Sequence, residues 1–257
     1  MYKFNAKKVK EDLVQWISDW FNDNGKDCNA IIGISGGLDS SVVAALCVEA
    51  LGKERVIGVL MPYAVQRDIC FADMLCNHLD IKRYEVNIQD AYESLATDIS
   101  LSGIKRLSEQ ARINMSPRIR MTTLFAVAQS LNGRVSCNSN LSESYIGYST
   151  IFGDSAGSFA PLLNLTKTEV KLLAKELGLP MMLVEKEPSD GLCGKTDEDN
   201  FGFTYEVLDK YIRTGECDDK DTLKKIIDLH NKNKFKREPI AAFEVCGLDS
   251  DFDWILK

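Results

Sequence analysis

The sequence lacks the features that mark a metal-cluster protein, a secreted protein or a membrane protein. Its eight cysteines include no Cys-x-x-Cys pair, and two histidines are too few to suggest a zinc site. Several cysteines lie in apolar runs such as "VVAALCVEAL", which predicts structural thiols in a reducing cytoplasm. No apolar run reaches the roughly 20 residues of a membrane span, and "MYKFNAKKVKEDL" has no apolar signal core. We therefore expect a cytoplasmic protein without a membrane partner.

Basic charge is also scarce. Lysine and arginine number 31 against 38 aspartate and glutamate, a net charge of -7, which argues against a nucleic-acid partner. Small anionic ligands remain compatible, because a local cluster of donors can oppose the overall charge. A length of 257 residues with 45% hydrophobic side chains suits one sizeable α/β domain over 1–257 with an appended helical piece.

Short apolar runs alternate with helical patterns along the chain. A helix over 5–23 precedes four runs, 30–34, 55–61, 83–88 and 134–138, and helical spacing covers 118–131. This order predicts a doubly wound, mostly parallel five-stranded sheet of Rossmann-like order 3-2-1-4-5, with helices on both faces. A C-terminal extension over 204–257 is predicted to begin with helices near 204–213 and 219–232. Ligands in such folds bind beyond the carboxyl ends of the strands.

One stretch, "IIGISGGLDSS" at 31–41, has the layout of a phosphate-binding turn. A glycine turn between a strand and a helix presents backbone N–H groups to an anion at the positive end of the helix dipole. Ser35, Ser40 and Ser41 add hydroxyl groups, but the lysine of a P-loop is missing. Asp39 stands there instead, and a carboxylate beside a phosphate indicates a bridging Mg²⁺.

The segment "SGGLDSS" resembles the Ser-Gly-Gly-x-Asp-Ser motif of the N-type ATP pyrophosphatases. Those enzymes cleave ATP between its α and β phosphates and transfer AMP to a carbonyl oxygen. The resemblance accounts for the missing lysine, which in P-loop enzymes attends the β and γ phosphates during γ transfer.

Later segments resemble the NAD synthetases, in the right order from about 5 to 240. They are "GVLMPYAVQRD", "NMSPRIRM", "CNSNLSESYIGYST", "FGDSAG", "PLLNLTKTEV", "KEPSDGL", "KTDEDNFG" and "FKRE". The chain is most similar to the short, ammonia-dependent members, because the glutamine-using form would need a large nitrilase-like domain. The resemblance implies a homodimer that converts deamido-NAD, ATP and ammonia into NAD, AMP and pyrophosphate through an acyl-adenylate.

The resemblance also assigns roles to individual residues. The ATP-binding residues would be Gly33, Ile34, Ser35, Gly36, Gly37, Leu38, Asp39, Ser40, Met61, Asn138, Lys167 and Ser189. Asp39 and Glu143 would hold Mg²⁺, and Lys167 would neutralise charge on the phosphates. The deamido-NAD contacts would be Arg118, Asp154 and Lys236, with Asp154 as a candidate base for ammonium.

The chain departs from the family at three positions that hold the dinucleotide in bacterial members. Ile151 stands where many members have a basic residue, Ser158 where an acid is common, and Phe235 where a histidine precedes the basic pair.

Two other functions fit parts of the sequence. Another ATP pyrophosphatase, such as a tRNA-modifying adenylyltransferase, is disfavoured by the acidic charge, and a regulatory module that only binds ATP would not need Asp39, Glu143 and Lys167 together. Alternatives also exist for single residues: Glu143 as a solvated loop acid, Lys167 and Lys236 as surface charges, and Arg118 as the partner of a helix acid. The acidic run 197–199 is interpreted as a solvated face.

Overall fold

The computed structural model describes residues 2–66, 69–104, 106–186 and 196–243. Within these ranges four parallel strands form one sheet: β1 (Asn29–Gly33), β2 (Val56–Leu60), β3 (Lys82–Glu85) and β4 (Gly133–Val135). Their order is β3-β2-β1-β4, with Ile31 opposite Ile57 on one side and Val135 on the other. The central strands are continuously apolar because helices cover both faces of the sheet.

Eleven α-helices surround the sheet within the described ranges. They are α1 (Ala6–Gly25), α2 (Leu38–Leu51), α3 (Ile69–Leu79), α4 (Gln89–Leu101), α5 (Glu109–Ser130), α6 (Leu141–Ile146), α7 (Lys167–Glu176), α8 (Met181–Val184), α9 (Asp197–Phe201), α10 (Tyr205–Thr214) and α11 (Lys220–Lys232). The alternation of strand side chains divides the core. Ile32 packs among α1, α2 and α7, whereas its neighbour Ile31 packs with residues of α5.

Most predicted elements are confirmed. The N-terminal helix, predicted over 5–23, is α1, and the two C-terminal helices are α10 and α11. Helix α5 begins earlier than the predicted 118, because the side chain of Ser108 caps it by accepting the N–H of Ala111. No helix in the described ranges has the length and apolar character needed to cross a bilayer.

The predicted fifth strand is wrong. Beyond β4, the described part of the chain forms one isolated parallel bridge, between Ser136 and Phe159, in which the N–H of Cys137 donates to the Phe159 carbonyl at 2.8 Å. Pro161 follows two residues later and has no N–H with which to continue a ladder. The observed order is therefore 3-2-1-4, and Ser136–Phe159 supplies one bridge where the fifth strand was expected.

A third apolar cluster joins the C-terminal helices to α6. Its buried members are Ile146 of α6, Phe201 of α9, Phe203, Tyr205 and Leu208 near and within α10, and Ile226 of α11. Helix α6 follows β4 at the carboxyl edge of the sheet, so this cluster fixes the position of α6 near the β1–α2 turn.

Candidate active site

The β1–α2 turn lies at the carboxyl end of β1 and is held by its own hydroxyl groups. Gly36 has a φ of +73°, a left-handed conformation that glycine adopts without strain. The hydroxyls of Ser40 and Ser41 donate to the carbonyl of Gly37 at 3.2 and 2.7 Å, and the Ser35 hydroxyl accepts the N–H of Gly37 at 3.2 Å. Ser41, expected as a ligand donor, is fully buried and shapes the turn.

Helix α2 begins at this turn without a capping side chain. Its N-cap residue is Gly37, which has no side chain to cap the helix, so the N–H groups of the first turn remain available to an anion. A Cβ atom added at Gly33 would lie 3.1 Å from Leu124 and 3.3 Å from the Met61 side chain, so both side chains pack against the end of β1. Asn138 donates to the Gly33 carbonyl at 3.1 Å. The predicted ATP residues Met61 and Asn138 thus flank the turn.

A lysine joins two carboxylates at the mouth of the turn. The ammonium of Lys167, at the start of α7, lies 2.6 Å from Asp39 Oδ2 and 3.0 Å from Glu143 Oε1. The three side chains are only 9%, 17% and 18% exposed, so none is a solvated surface charge. Asn140 completes the group by donating to Asp39 Oδ1 at 3.0 Å while its own Oδ1 accepts the N–H of Glu143. We call Asp39, Glu143 and Lys167 the clamp.

The electrostatics of the clamp follow from burial and from the excess of carboxylates. Burial raises the pKa of Glu143 to about 7, although the charge of Lys167 opposes the shift. Burial alone would lower the pKa of Lys167, but the charges of Asp39 and Glu143 outweigh it and raise that pKa above its usual value. Two carboxylates and one ammonium leave a formal charge of -1, so a bound polyphosphate would need further cations.

The clamp has neighbours that the sequence interpretation missed. Asp197 is buried and accepts a hydrogen bond from the Tyr205 hydroxyl at 3.0 Å, and that hydroxyl also lies 3.5 Å from Glu143 Oε1. The interpretation of 197–199 as a solvated face is therefore wrong for Asp197. Thr196 and Asp199 form a capping box that begins α9 and turns Asp197 inward. The Thr-x-x-Asp spacing of Thr196 and Asp199 could have indicated that a helix begins here.

A second lysine lies on the turn itself. Lys186 donates to the Gly36 carbonyl at 3.4 Å, and its ammonium lies 4.6 Å from the centre of the Phe71 ring. It was not among the predicted ATP residues, although it immediately precedes the "EPSDGL" segment that includes Ser189. Ser189 itself lies outside the described residues.

The three predicted deamido-NAD residues converge on the loop after α6. Arg118 of α5 donates to the Ile151 carbonyl at 3.3 Å, so the alternative of a helix acid as its partner is wrong. Asp154 accepts the N–H of Thr150 at 2.7 Å. Lys236 donates to the carbonyls of Gly147 and Ser149 at 2.7 and 2.8 Å.

Asp154 and Lys236 also interact electrostatically. Burial lowers the pKa of Lys236, while the charge of Asp154 opposes that shift. The departures from the family pattern surround this loop, since Phe235 is exposed beside Lys236, Ile151 carries the carbonyl bound by Arg118, and Ser158 is exposed.

The donor set of the clamp fits Mg²⁺ when water or substrate oxygens supply the remaining ligands. In the described ranges, no three His, Cys, Asp or Glu side chains form a metal-binding group on their own. Mg²⁺ in nucleotide sites is typically held by one or two carboxylates together with phosphate oxygens. Asp39 and Glu143 beside an uncapped helix N-terminus match that arrangement.

Comparison with known proteins gives consistent matches. The family model of NAD synthase matches residues 9–240. An NH3-dependent NAD synthetase of Finegoldia magna is 38% identical over 237 residues, covering 91% of this chain and 96% of that relative. The corresponding protein of Thermococcus sibiricus is 38% identical, with 94% and 87% covered.

Solved structures match as well. An NMN synthetase from Francisella tularensis superposes with a TM-score of 0.86 at 34% identity, covering 95% of this chain and all of that one. An NH3-dependent NAD synthetase from Campylobacter jejuni superposes with a TM-score of 0.76 at 28% identity, covering 94% of this chain and all of that one.

Proposed function

Because the chain belongs to the NAD synthase family, we propose that it amidates deamido-NAD with ammonia through an acyl-adenylate, giving NAD, AMP and pyrophosphate. It is then a ligase that forms a C–N bond and uses ATP as co-substrate. The observation that carries the proposal is the clamp, in which Lys167 joins Asp39 and Glu143 beside the uncapped start of α2.

In the first step, a carboxylate oxygen of the nicotinate attacks the α phosphorus of ATP. The bond from that phosphorus to the bridging oxygen breaks, and pyrophosphate leaves with the electron pair. The N–H groups of the β1–α2 turn bind the departing phosphates, and the Lys167 ammonium stabilises the charge that develops on them. No protein nucleophile takes part, so the chain contributes orientation and electrostatics.

Asp39 and Glu143 would hold Mg²⁺. When bound, Mg²⁺ supplies charge neutralisation for the phosphates. Asp39 also keeps Asn140 and Lys167 in place through its two oxygens.

In the second step, ammonia attacks the carbonyl carbon of the acyl-adenylate and AMP leaves. Ammonium must lose a proton before the attack, and the amide nitrogen loses another afterwards. Asp154 is our candidate base, because it lies in the loop where Arg118 and Lys236 also converge.

The function is tested by supplying ATP, Mg²⁺, deamido-NAD and ammonium, and measuring products by mass. NAD and AMP in equal amounts are expected. Absence of both would refute the amidation of deamido-NAD, and ADP in place of AMP would refute the bond assignment. Asp39→Ala should abolish AMP formation; an active Asp39→Ala variant would contradict the roles given to this carboxylate.

A second candidate acceptor is the mononucleotide, nicotinate mononucleotide, which the same chemistry would convert to NMN. It is favoured by the similarity to an NMN synthetase and by Ile151, Ser158 and Phe235 at positions that hold the dinucleotide in bacterial relatives. A competition assay with both acceptors at equal concentration distinguishes them by the mass of the amide product.

We also propose that the chain acts as a cytoplasmic homodimer, with α1 and α5 as contributors to the interface. The core-facing side chains of α1, such as Ile17 and Phe21, are buried within the subunit, so α1 would contribute its outer face, which carries the exposed Trp16. Sedimentation velocity at several protein concentrations tests this assignment, and a monomer throughout would contradict it.

A further inference from the structure

A buried aspartate outside the clamp connects the two helices that carry Glu143 and Lys167. Asp209 lies on α10 and is 4% exposed. One of its carboxylate oxygens accepts the hydroxyl of Ser142 on α6, and the other accepts the N–H of Thr168 on α7 at 2.8 Å. Neither the family resemblance nor the sequence interpretation assigned Asp209 a role.

Ser142 extends this connection to the clamp lysine. Its oxygen accepts the backbone N–H of Lys167 at 2.9 Å, and its side chain is completely buried. Ser142 immediately precedes Glu143, and Lys167 immediately precedes Thr168. The Asp209 carboxylate and the Ser142 hydroxyl therefore fix the start of α7 against α6, next to both ends of the Lys167–Glu143 ion pair.

The two helices need such a connection. Helix α6 has only six residues, too few to be stable without tertiary contacts. The 3.0 Å contact between Lys167 and Glu143 spans two separate segments, and small displacements of catalytic groups reduce rates strongly. A buried carboxylate is costly unless hydrogen bonds satisfy it, and burial indeed raises the pKa of Asp209. A buried ionic group is weak evidence for stability, so the hydrogen bonds of Asp209 point to a role in geometry.

We propose that Asp209 is a positioning residue that, through Ser142, sets the clamp geometry for ATP binding and adenylation. This inference rests on the proposed function for its kinetic test, but not for its binding test.

The experiment compares Asp209→Ala, Asp209→Asn, Ser142→Ala and the double variant Ser142→Ala/Asp209→Ala. Glu206→Gln is the matched control, because Glu206 is an exposed acid on the same helix. Three quantities are measured: kcat for AMP formation per folded molecule, the dissociation constant of ATP with Mg²⁺ by calorimetry without acceptor, and the melting temperature.

Loss of a buried outer-shell contact typically reduces activity or metal affinity about 10- to 100-fold. We expect a decrease of that size in kcat and about 10-fold weaker ATP binding for Asp209→Ala and Ser142→Ala, with Glu206→Gln unchanged. Asp209→Asn should lie between wild type and Asp209→Ala, because the asparagine oxygen still accepts the Thr168 N–H and its amide can donate to the Ser142 oxygen. The effect in the double variant should be well below the combined effects of the two single changes, since both break the Ser142–Asp209 hydrogen bond.

A purely structural Asp209 would give a lower melting temperature with unchanged kcat per folded molecule and unchanged ATP binding, which would overturn the proposal. Additive effects in the double variant would also overturn it. If Asp209→Ala does not fold, Ser142→Ala and Asp209→Asn provide the same comparison. If wild type forms no AMP with either acceptor, the proposed function fails, and equal ATP affinities of wild type and Ser142→Ala would then refute the positioning role separately.

Discussion

Replacing Lys167 by methionine removes the one cation of the clamp while keeping most of the volume of its side chain. In wild type, Asp39 and Glu143 lie 2.6 and 3.0 Å from the Lys167 ammonium. In the folded variant these two carboxylates would face each other without a cation between them. Removing one partner of a buried ion pair costs about 3–5 kcal/mol. We expect about 3 kcal/mol for Lys167→Met, at the lower end of that range, because both carboxylates keep some contact with water.

The catalytic effect should exceed what the loss of stability explains. Removing a group that stabilises developing transition-state charge typically reduces kcat about 10²- to 10³-fold. The assay measures AMP formation at saturating substrates and a temperature well below the melting transition of the variant. Lys171→Met is the matched control on the same helix, since its ammonium pairs with Glu185 in an ion pair whose side chains are 42% and 47% exposed. Such exposed pairs contribute about 0–1 kcal/mol.

Mg²⁺ gives an independent measurement of the same site. Without the lysine, Asp39 and Glu143 no longer share a competing cation, so added Mg²⁺ should raise the urea midpoint of Lys167→Met more than that of wild type. Near-wild-type turnover by Lys167→Met would refute the role of the ammonium. An equal Mg²⁺ effect on both proteins would refute the assignment of the carboxylates as metal ligands.

Two further substitutions test the surroundings of the clamp. Gly147→Ala should lower the free energy of unfolding by about 1–3 kcal/mol, because Gly147 has a φ of +69° and an added Cβ would lie 2.2 Å from that of Asn233. Gly215→Ala is the control in urea denaturation, because Gly215 has a φ of +76° but open space around it. Equal losses of unfolding free energy in the two variants would contradict a steric clash at Gly147. Burial raises the pKa of Glu169, but the hydrogen bond from Arg213 and other donors lower it below the ordinary value. The ionised carboxylate thus stabilises the fold, and this stabilisation is lost as the pH falls below about 4.3. Glu169→Gln should make the free energy of unfolding less dependent on pH in that acid range. An unchanged pH dependence would contradict the stabilising role of Glu169.

The phosphate-binding half of the site could be predicted from local sequence. An apolar strand, two glycines and an acid at the start of a helix specify a turn that is built almost entirely from residues 33–41. The partners of Asp39 are distant, since Glu143 and Lys167 come from two later segments. Only the family resemblance identified them, because no local pattern indicates which loop approaches the turn.

The errors have local physical causes. The fifth strand was expected from the fold pattern without a run of its own in the sequence, and only one bridge forms beside β4 in the described ranges, at Phe159, two residues before Pro161, which lacks a donor. Asp197 was interpreted as solvated because it belongs to a run of three acids, and such side chains are mostly exposed. Its burial depends on Tyr205, whose hydroxyl reaches back across the α9–α10 junction.

Asp209 could have been singled out from its helical position. Tyr205, Leu208 and Ile212 define the apolar face of α10, and Asp209 lies on that same face at the i+4 position from Tyr205. An acid on the apolar face of an amphipathic helix requires buried partners. Sequence can indicate that such partners exist, but their identity, Ser142 and Thr168, depends on how α10 docks.

Asp209 of α10 and Lys236, which follows α11, hold α6 at both ends, and this anchoring bears on the substrate role proposed for Lys236. Near the start of α6 Asp209 binds Ser142, and after its end Lys236 binds the carbonyls of Gly147 and Ser149. An ammonium has three donors, so these two carbonyls leave one for an anionic acceptor. Anchoring by the backbone would keep that donor in the loop that contains Asp154, which makes Lys236 suited to orient the acceptor relative to the helix that carries Glu143.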